Sequence, residues 1–302
     1  MIKHLTFTLF VVTALIVAPS PAPAQNPSGP VRIAVDGGPG WVNGVELALR
    51  EINGRGGILG RQVVIVPSGA DLVLGPERFA DPPAPVARYL VGPLQAKSVA
   101  VAARSMEAMR VAPIAATPLL IESGQVDFSA TVMRAKNSSA DALLVIALST
   151  DETVKLLSEL RQQKYDRPVI GEASLVSARM IERAGDAANG VRAVVGLGAE
   201  TPMPAISDFQ RKHQAVYGGP SGIDAMRGYS ALYVVKIVAA KLGKLDSASF
   251  TAALKNLTLL AQDEPGLLLD VSGDGDGRLR HQILIVEVRD RKAVAIDSLP
   301  AF

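Results

Sequence analysis

Residues 43–66 read NGVELALREINGRGGILGRQVVIV, and no other stretch restricts the possible folds as strongly. Val45, Leu47, Ala48, Leu49 and Ile52 recur at near-helical spacing, with Glu46, Arg50, Glu51 and Asn53 on the other side. Gly54, Gly56, Gly57 and Gly60 follow at once, and glycine takes a left-handed helix cap freely. The run 63–66 is then apolar and rich in β-branched residues, as a buried strand requires. Upstream, 31–35 (VRIAV) predicts another strand that leads into the glycine loop 36–40. Strand, loop, helix, turn, strand is a βαβ unit, and its loop lies at the carboxyl end of the first strand, where open α/β sheets bind ligands.

The start of the chain stands apart from this pattern. Lys3 and His4 precede an apolar run at 5–17, and Ala22-Pro23-Ala24 follows as a small-residue cleavage site. The run is short of the about 20 residues of a membrane span, so residues 1–24 are expected to be a signal peptide removed on export. The 302-residue chain contains no cysteine, which excludes a disulfide framework and a cysteine-linked lipid anchor. Of 31 basic and 29 acidic residues only Lys3 falls in the leader, so the remainder carries 30 against 29, a net +1. That balance, without a basic block, argues against a nucleic-acid partner. The remaining 278 residues suffice for two domains.

Further along, strand and helix signals alternate. Strands are expected at 89–91, 111–116, 142–148, 168–170 and 191–195. Helices are expected at 98–109, 129–137, 151–163, 177–184, 206–217, 224–242 and 247–256. Prolines 76, 82, 83 and 85 break any regular helix between 67 and 90. Segments 266–271 and 282–288 look like the arms of a hairpin around 272–277. Such alternation implies mainly parallel sheets in an α/β fold.

Catalytic signatures are absent: there is no HExxH, no GxSxG, no cysteine nucleophile, and only His213 and His281 after the leader. The loop 36–40 lacks the phosphate-binding motifs. Asp270, Ser272, Asp274 and Gly275 match half of a calcium loop, but His281 stands where a bidentate glutamate is needed, and a polar turn is the better reading. No enzyme, cofactor or metal is expected. Binding residues are instead expected in the loops after strands, among Gly38–Trp41, Gly92–Ser98 and Ala115–Pro118. Trp41, the sole tryptophan, could be a ligand wall or core packing; Thr117 could be an exposed hydroxyl donor or a turn residue.

Several separated stretches resemble, in order, the periplasmic branched-chain amino-acid and amide binding proteins of ABC importers, the type I periplasmic binding proteins. They are 43–66, Gly92-Pro93, Ala116-Thr117-Pro118, Asp127-Phe128-Ser129, AGDAANG at 184–190, GYSA at 228–231 and the terminal hairpin. The resemblance implies two α/β lobes joined by three crossings, with a solute trapped between them and handed to a membrane permease. It divides the chain into a first lobe of 30–121 plus 204–279 and a second of 122–203 plus 280–302. The second would be shortened, because little chain separates Leu120 from Asp127. It also implies a ligand set of Trp41, Gly92, Ser98, Ala116, Thr117, Ser149 and Glu172. Thr117 would hold a carboxylate and Glu172 an ammonium, while Ala96 stands where the family has a serine. The expected function is capture of a small amino-acid-like, amide or carboxylate solute in the periplasm. The alternative is a degenerate receptor that acts as a sensor or accessory subunit through protein contact.

Overall fold

The computed structural model describes residues 29–76, 96–104 and 114–299. The expected leader, the strand at 89–91, Gly92, and the prolines at 82–85 lie outside them. Strand β1 (Val31–Val35) buries Val31 and Ile33 and exposes Arg32, the alternation of a strand covered on one side. It leads into α1 (Pro39–Gly54), and Gly57 and Gly60 at positive φ turn the chain into β2 (Val63–Ile65). A further short strand, β3 (Leu72–Leu74), pairs with β1 on its other side, giving a parallel sheet of order β2-β1-β3.

The larger sheet has seven strands. Its parallel part comprises β4 (Ser98–Ala103), β5 (Ala115–Leu120), β6 (Ala142–Ile146), β7 (Val169–Gly171) and β8 (Val191–Val195), to which β12 (Ile283–Arg289) and β13 (Lys292–Leu299) add antiparallel. The order is β13-β12-β8-β7-β6-β4-β5. Helices α2 (Ser129–Asn137), α3 (Thr150–Gln162) and α4 (Ala178–Ala184) connect its strands. The chain then returns towards the first sheet through α5 (Pro204–Tyr217), α6 (Ile223–Leu242) and α7 (Ser247–Leu254). A three-stranded antiparallel sheet of β9 (Thr258–Leu259), β10 (Val271–Gly273) and β11 (Leu279–His281) precedes the last passage into β12.

Three expectations need correction. The spacing predicts a helix over 98–109, but its first six residues form β4, with β5 on one side and β6 on the other. Val99 and Val101 are β-branched, and every residue from Val99 to Ala103 is buried. A central strand covered on both faces overrides the helix preference of its alanines. The strand expected at 111–116 runs instead from Ala115 to Leu120. Strands β4 and β5 therefore belong to the larger sheet, β4 beside β6 and β5 at its edge, and not to the sheet of β1. The three-stranded sheet around β1 is the smaller parallel sheet among the described residues. The hairpin arms also differ: β10 pairs with β11 across the 274–278 turn, whereas β12 pairs with β8 and β13.

Helices α1 and α6 cross at reciprocal glycines. A Cβ on Gly44 would lie 1.9 Å from the Ala225 carbonyl oxygen, and one on Gly228 would lie 2.3 Å from that of Trp41. Glu51 fastens the other end, accepting hydrogen bonds from Tyr229 (2.9 Å), Tyr233 (2.8 Å) and Lys212 (2.8 Å). Helix α6 is buried nearly all round, which explains its lack of an apolar stripe. No helix of the described residues is long and apolar enough to cross a membrane.

Candidate functional site

The carboxyl ends of β7, β6, β4 and β5 lie side by side and deliver Glu172, Ala147–Ser149, Arg104 and Gly124 to one edge of the larger sheet. Glu152, in the first turn of α3, ties three of these ends together. Its carboxylate accepts from the Ser149 amide (2.9 Å), the Ser149 hydroxyl (2.6 Å), the Gly124 amide (3.0 Å) and the Arg104 guanidinium. Ser149 returns the bond as helix cap, since its Oγ also accepts from the Glu152 amide at 3.3 Å. Burial of Glu152 opposes ionisation, yet the Ser149, Gly124 and Arg104 donors outweigh it and hold the carboxyl down at about 2. The ion pair joins a nearly enclosed carboxylate to an arginine whose side chain is 37% exposed.

Beside this knot Ala147 takes a φ of +57°, a strained conformation for alanine at the mouth of a sheet. Its amide donates to the exposed Glu172 at 3.4 Å. The edge thus offers an oriented cation, Arg104, and an exposed anion, Glu172, on either side of β6. Neighbouring strands lie about 4.8 Å apart, so the two strand ends are roughly 10 Å from each other, within reach of both side chains for one small zwitterion.

The other expected residues are distributed differently. Ser149 and Glu172 do lie at this edge, Ser149 as a cap. Trp41 is not in a loop: α1 begins at Pro39, four residues before the expected start, and Trp41 is 1% exposed in the core. Pro39 explains the early start, since proline suits the first helical position. Ser98 sits at the amino end of β4, the opposite edge from the site, where its Oγ donates to the Ser139 carbonyl at 3.2 Å and its amide to Asp141 at 2.9 Å. Ala116 and Thr117 are exposed in the middle of β5, the edge strand, and not in a loop. The Ile121 amide reaches the Ala103 carbonyl. Strand alternation therefore turns residues 117 and 119 towards β4 and leaves the Pro118 nitrogen on the open edge, the position where a strand tolerates proline. Gly92 lies outside the described residues.

Sequence reasoning missed Arg104, Gly124 and Glu152. The pattern Ser149-x-x-Glu152 is a capping-box signature that the sequence does display. The half-matched calcium loop is a turn: Asp274 accepts from the Asp276 and Arg278 amides, and Asp270 from that of Ala261. Among the described residues no cluster of acidic or histidine side chains could hold a metal.

A family model described as periplasmic binding protein matches residues 89–293, well over half of the chain. The chain belongs to the periplasmic binding protein family. Solved structures share the fold of this periplasmic binding protein at low identity. A candidate branched-chain amino acid ABC transporter from Rhodospirillum rubrum is 17% identical, with a TM-score of 0.64, over 89% of this chain and 99% of its own. A branched chain amino acid ABC transporter periplasmic ligand-binding protein from Burkholderia xenovorans LB400 is 14% identical, with a TM-score of 0.59, over 90% and 96%. The branched-chain amino acid transporter substrate binding protein LivJ from Streptococcus pneumoniae, solved with isoleucine, is 16% identical, with a TM-score of 0.50, over 89% and 99%. No curated protein matches the sequence. The likeness extends to the two-lobe type I architecture with mainly parallel sheets. The family is one of solute-binding proteins, not of enzymes.

Proposed function

We propose that this protein is the periplasmic receptor of an ABC importer, and that it captures a small amino-acid-like solute for delivery to a membrane permease. One observation carries the reading: Arg104 and Glu172, of opposite charge, flank β6 at the carboxyl edge of the larger sheet, with Arg104 oriented by Glu152. Arginine is suited to a carboxylate and an exposed carboxylate to an ammonium. The exposed glycine loop 36–40, at the carboxyl end of β1, would face the solute from the first lobe with Gly37 and Gly38. A division of the described residues by sheet membership supports the closing of two lobes on it: 29–76 with 204–281, and 96–104 and 114–203 with 283–299, joined by three crossings. Residues 1–24 serve as the export signal.

In this reading Thr117 and Ser98 lie apart from the site, and Trp41 packs in the core between α1 and α6. Those three facts also favour a second reading, a receptor homologue that works through protein contact, because they leave the first lobe without its expected side-chain anchors.

A thermal-shift screen of the purified protein against amino acids, their amides and small carboxylates separates the two. A solute at 100 times its dissociation constant stabilises the fold by about 2.7 kcal/mol, several degrees in a chain of this size. Glu172→Gln and Arg104→Gln should each weaken an amino-acid hit tenfold or more, while Thr117→Ala leaves it unchanged. A folded protein that responds to no solute refutes capture and leaves protein contact as the function.

A further inference from the structure

Away from that edge, a cavity of about 270 Å³ opens beside β3, under α6 and α7. Among the described residues β3 pairs with β1 on one side, and α6 and α7 supply the facing walls. The walls are Leu72 and Leu74 from β3, Val234 and Val235 from α6, Phe250 and Leu254 from α7. Val73, at the same edge, is 62% exposed. None of the described residues lining the cavity is charged, and the polar side chains are two hydroxyls, Ser247 and Thr251, on α7. Ser247 is exposed and Thr251 half-buried, whereas Phe250 and Leu254 are buried, so the hydroxyls mark the mouth and the apolar residues the floor.

We propose that this cavity is a second binding site, for a small neutral molecule with an apolar body and one hydroxyl or carbonyl, such as a substituted single ring. Size sets the first limit. An apolar cavity of about 150 Å³ already holds benzene, and small-molecule pockets begin at about 300 Å³. Charge sets the second, because an ion placed here would lose its hydration without gaining a partner. The site is thus chemically opposite to the edge that bears Arg104 and Glu172, and neither needs the other. Its ligand seats its apolar body against Phe250, Leu254 and Val235 and bonds to Thr251 at the mouth.

The test is isothermal titration of the whole protein with 4-methylphenol, 4-methylbenzoate and toluene. Saturable binding of 4-methylphenol below about 1 mM is expected, with the benzoate at least tenfold weaker. Thr251→Val, which keeps the shape and removes the hydroxyl, should weaken 4-methylphenol about three- to tenfold and leave toluene unchanged. Thr251→Phe, at a half-buried position that can accept a larger side chain, should plug the mouth and weaken both more than tenfold. The proposal is overturned if 4-methylphenol does not bind, if the benzoate binds as tightly, or if both variants bind like the parent. Binding of amino acids at the sheet edge is read separately in the Thr251 variants and should be unaffected.

Discussion

Replacing Glu152 by glutamine probes the knot that holds the sheet edge together. In the parent, one carboxylate satisfies two amides, a hydroxyl and a guanidinium, and its pKa stands at about 2 against an ordinary 4.5. A folded-state pKa below the unfolded one stabilises the protein at pH values above the unfolded value, and that contribution fades as the pH falls through the folded value. The displacement corresponds to about 3 kcal/mol at full strength. Because Arg104 is 37% exposed, solvent screens its part, and about 2 kcal/mol is the realistic figure. Glutamine keeps the shape but turns an amide NH2 or a weaker acceptor towards these donors. Urea unfolding of parent and Glu152→Gln should therefore differ by about 2 kcal/mol at pH 7. The gap should narrow as the pH falls from 4.5 towards 2, because only the parent then protonates a paired carboxylate. A gap that persists unchanged down to pH 2 would show that packing, and not ionisation, holds the edge, and the reasoning would fail.

Two structural predictions follow from the packing. Gly228→Ala sets a methyl group 2.3 Å from the Trp41 carbonyl oxygen, so α1 and α6 must move apart; a loss of about 1–3 kcal/mol is expected in the urea midpoint, and an unchanged midpoint would contradict the close crossing. Pro118→Thr restores an amide on the open side of β5, an edge already exposing Leu120, and should raise the weight-average mass in sedimentation at micromolar concentration; a mass equal to the parent's would mean that proline does not guard this edge.

How far the sequence could be read depended on what each residue had to do. The unit from β1 to β2 was legible because its signals are local: helical spacing in α1, glycines at positive φ after it, β-branched residues in β2. The strand at 191–195 and the helix at 129–137 were also found at their observed bounds. Residues 98–103 were not, since SVAVAA suits a helix or a strand equally, and only burial between β5 and β6 decides. The tripeptide Ala116-Thr117-Pro118 matches a family loop by its letters, and the resemblance places Ser98, Ala116 and Thr117 in the first lobe; the strands that carry them join the larger sheet. Of these strands β4 lies beside β6 and β5 at the sheet edge, and Arg104 stands at the carboxyl end of β4. Trp41 shows the converse: a lone tryptophan between glycines looks like an exposed wall, but Gly37 lies where a Cβ would meet its ring at 2.6 Å, and that glycine lets the ring in. Under the proposed function, side-chain recognition is concentrated on the larger sheet, at Arg104 and Glu172. Solute specificity should then respond to substitutions at Arg104 and Glu172, and hardly at all to side-chain changes in the glycine loop.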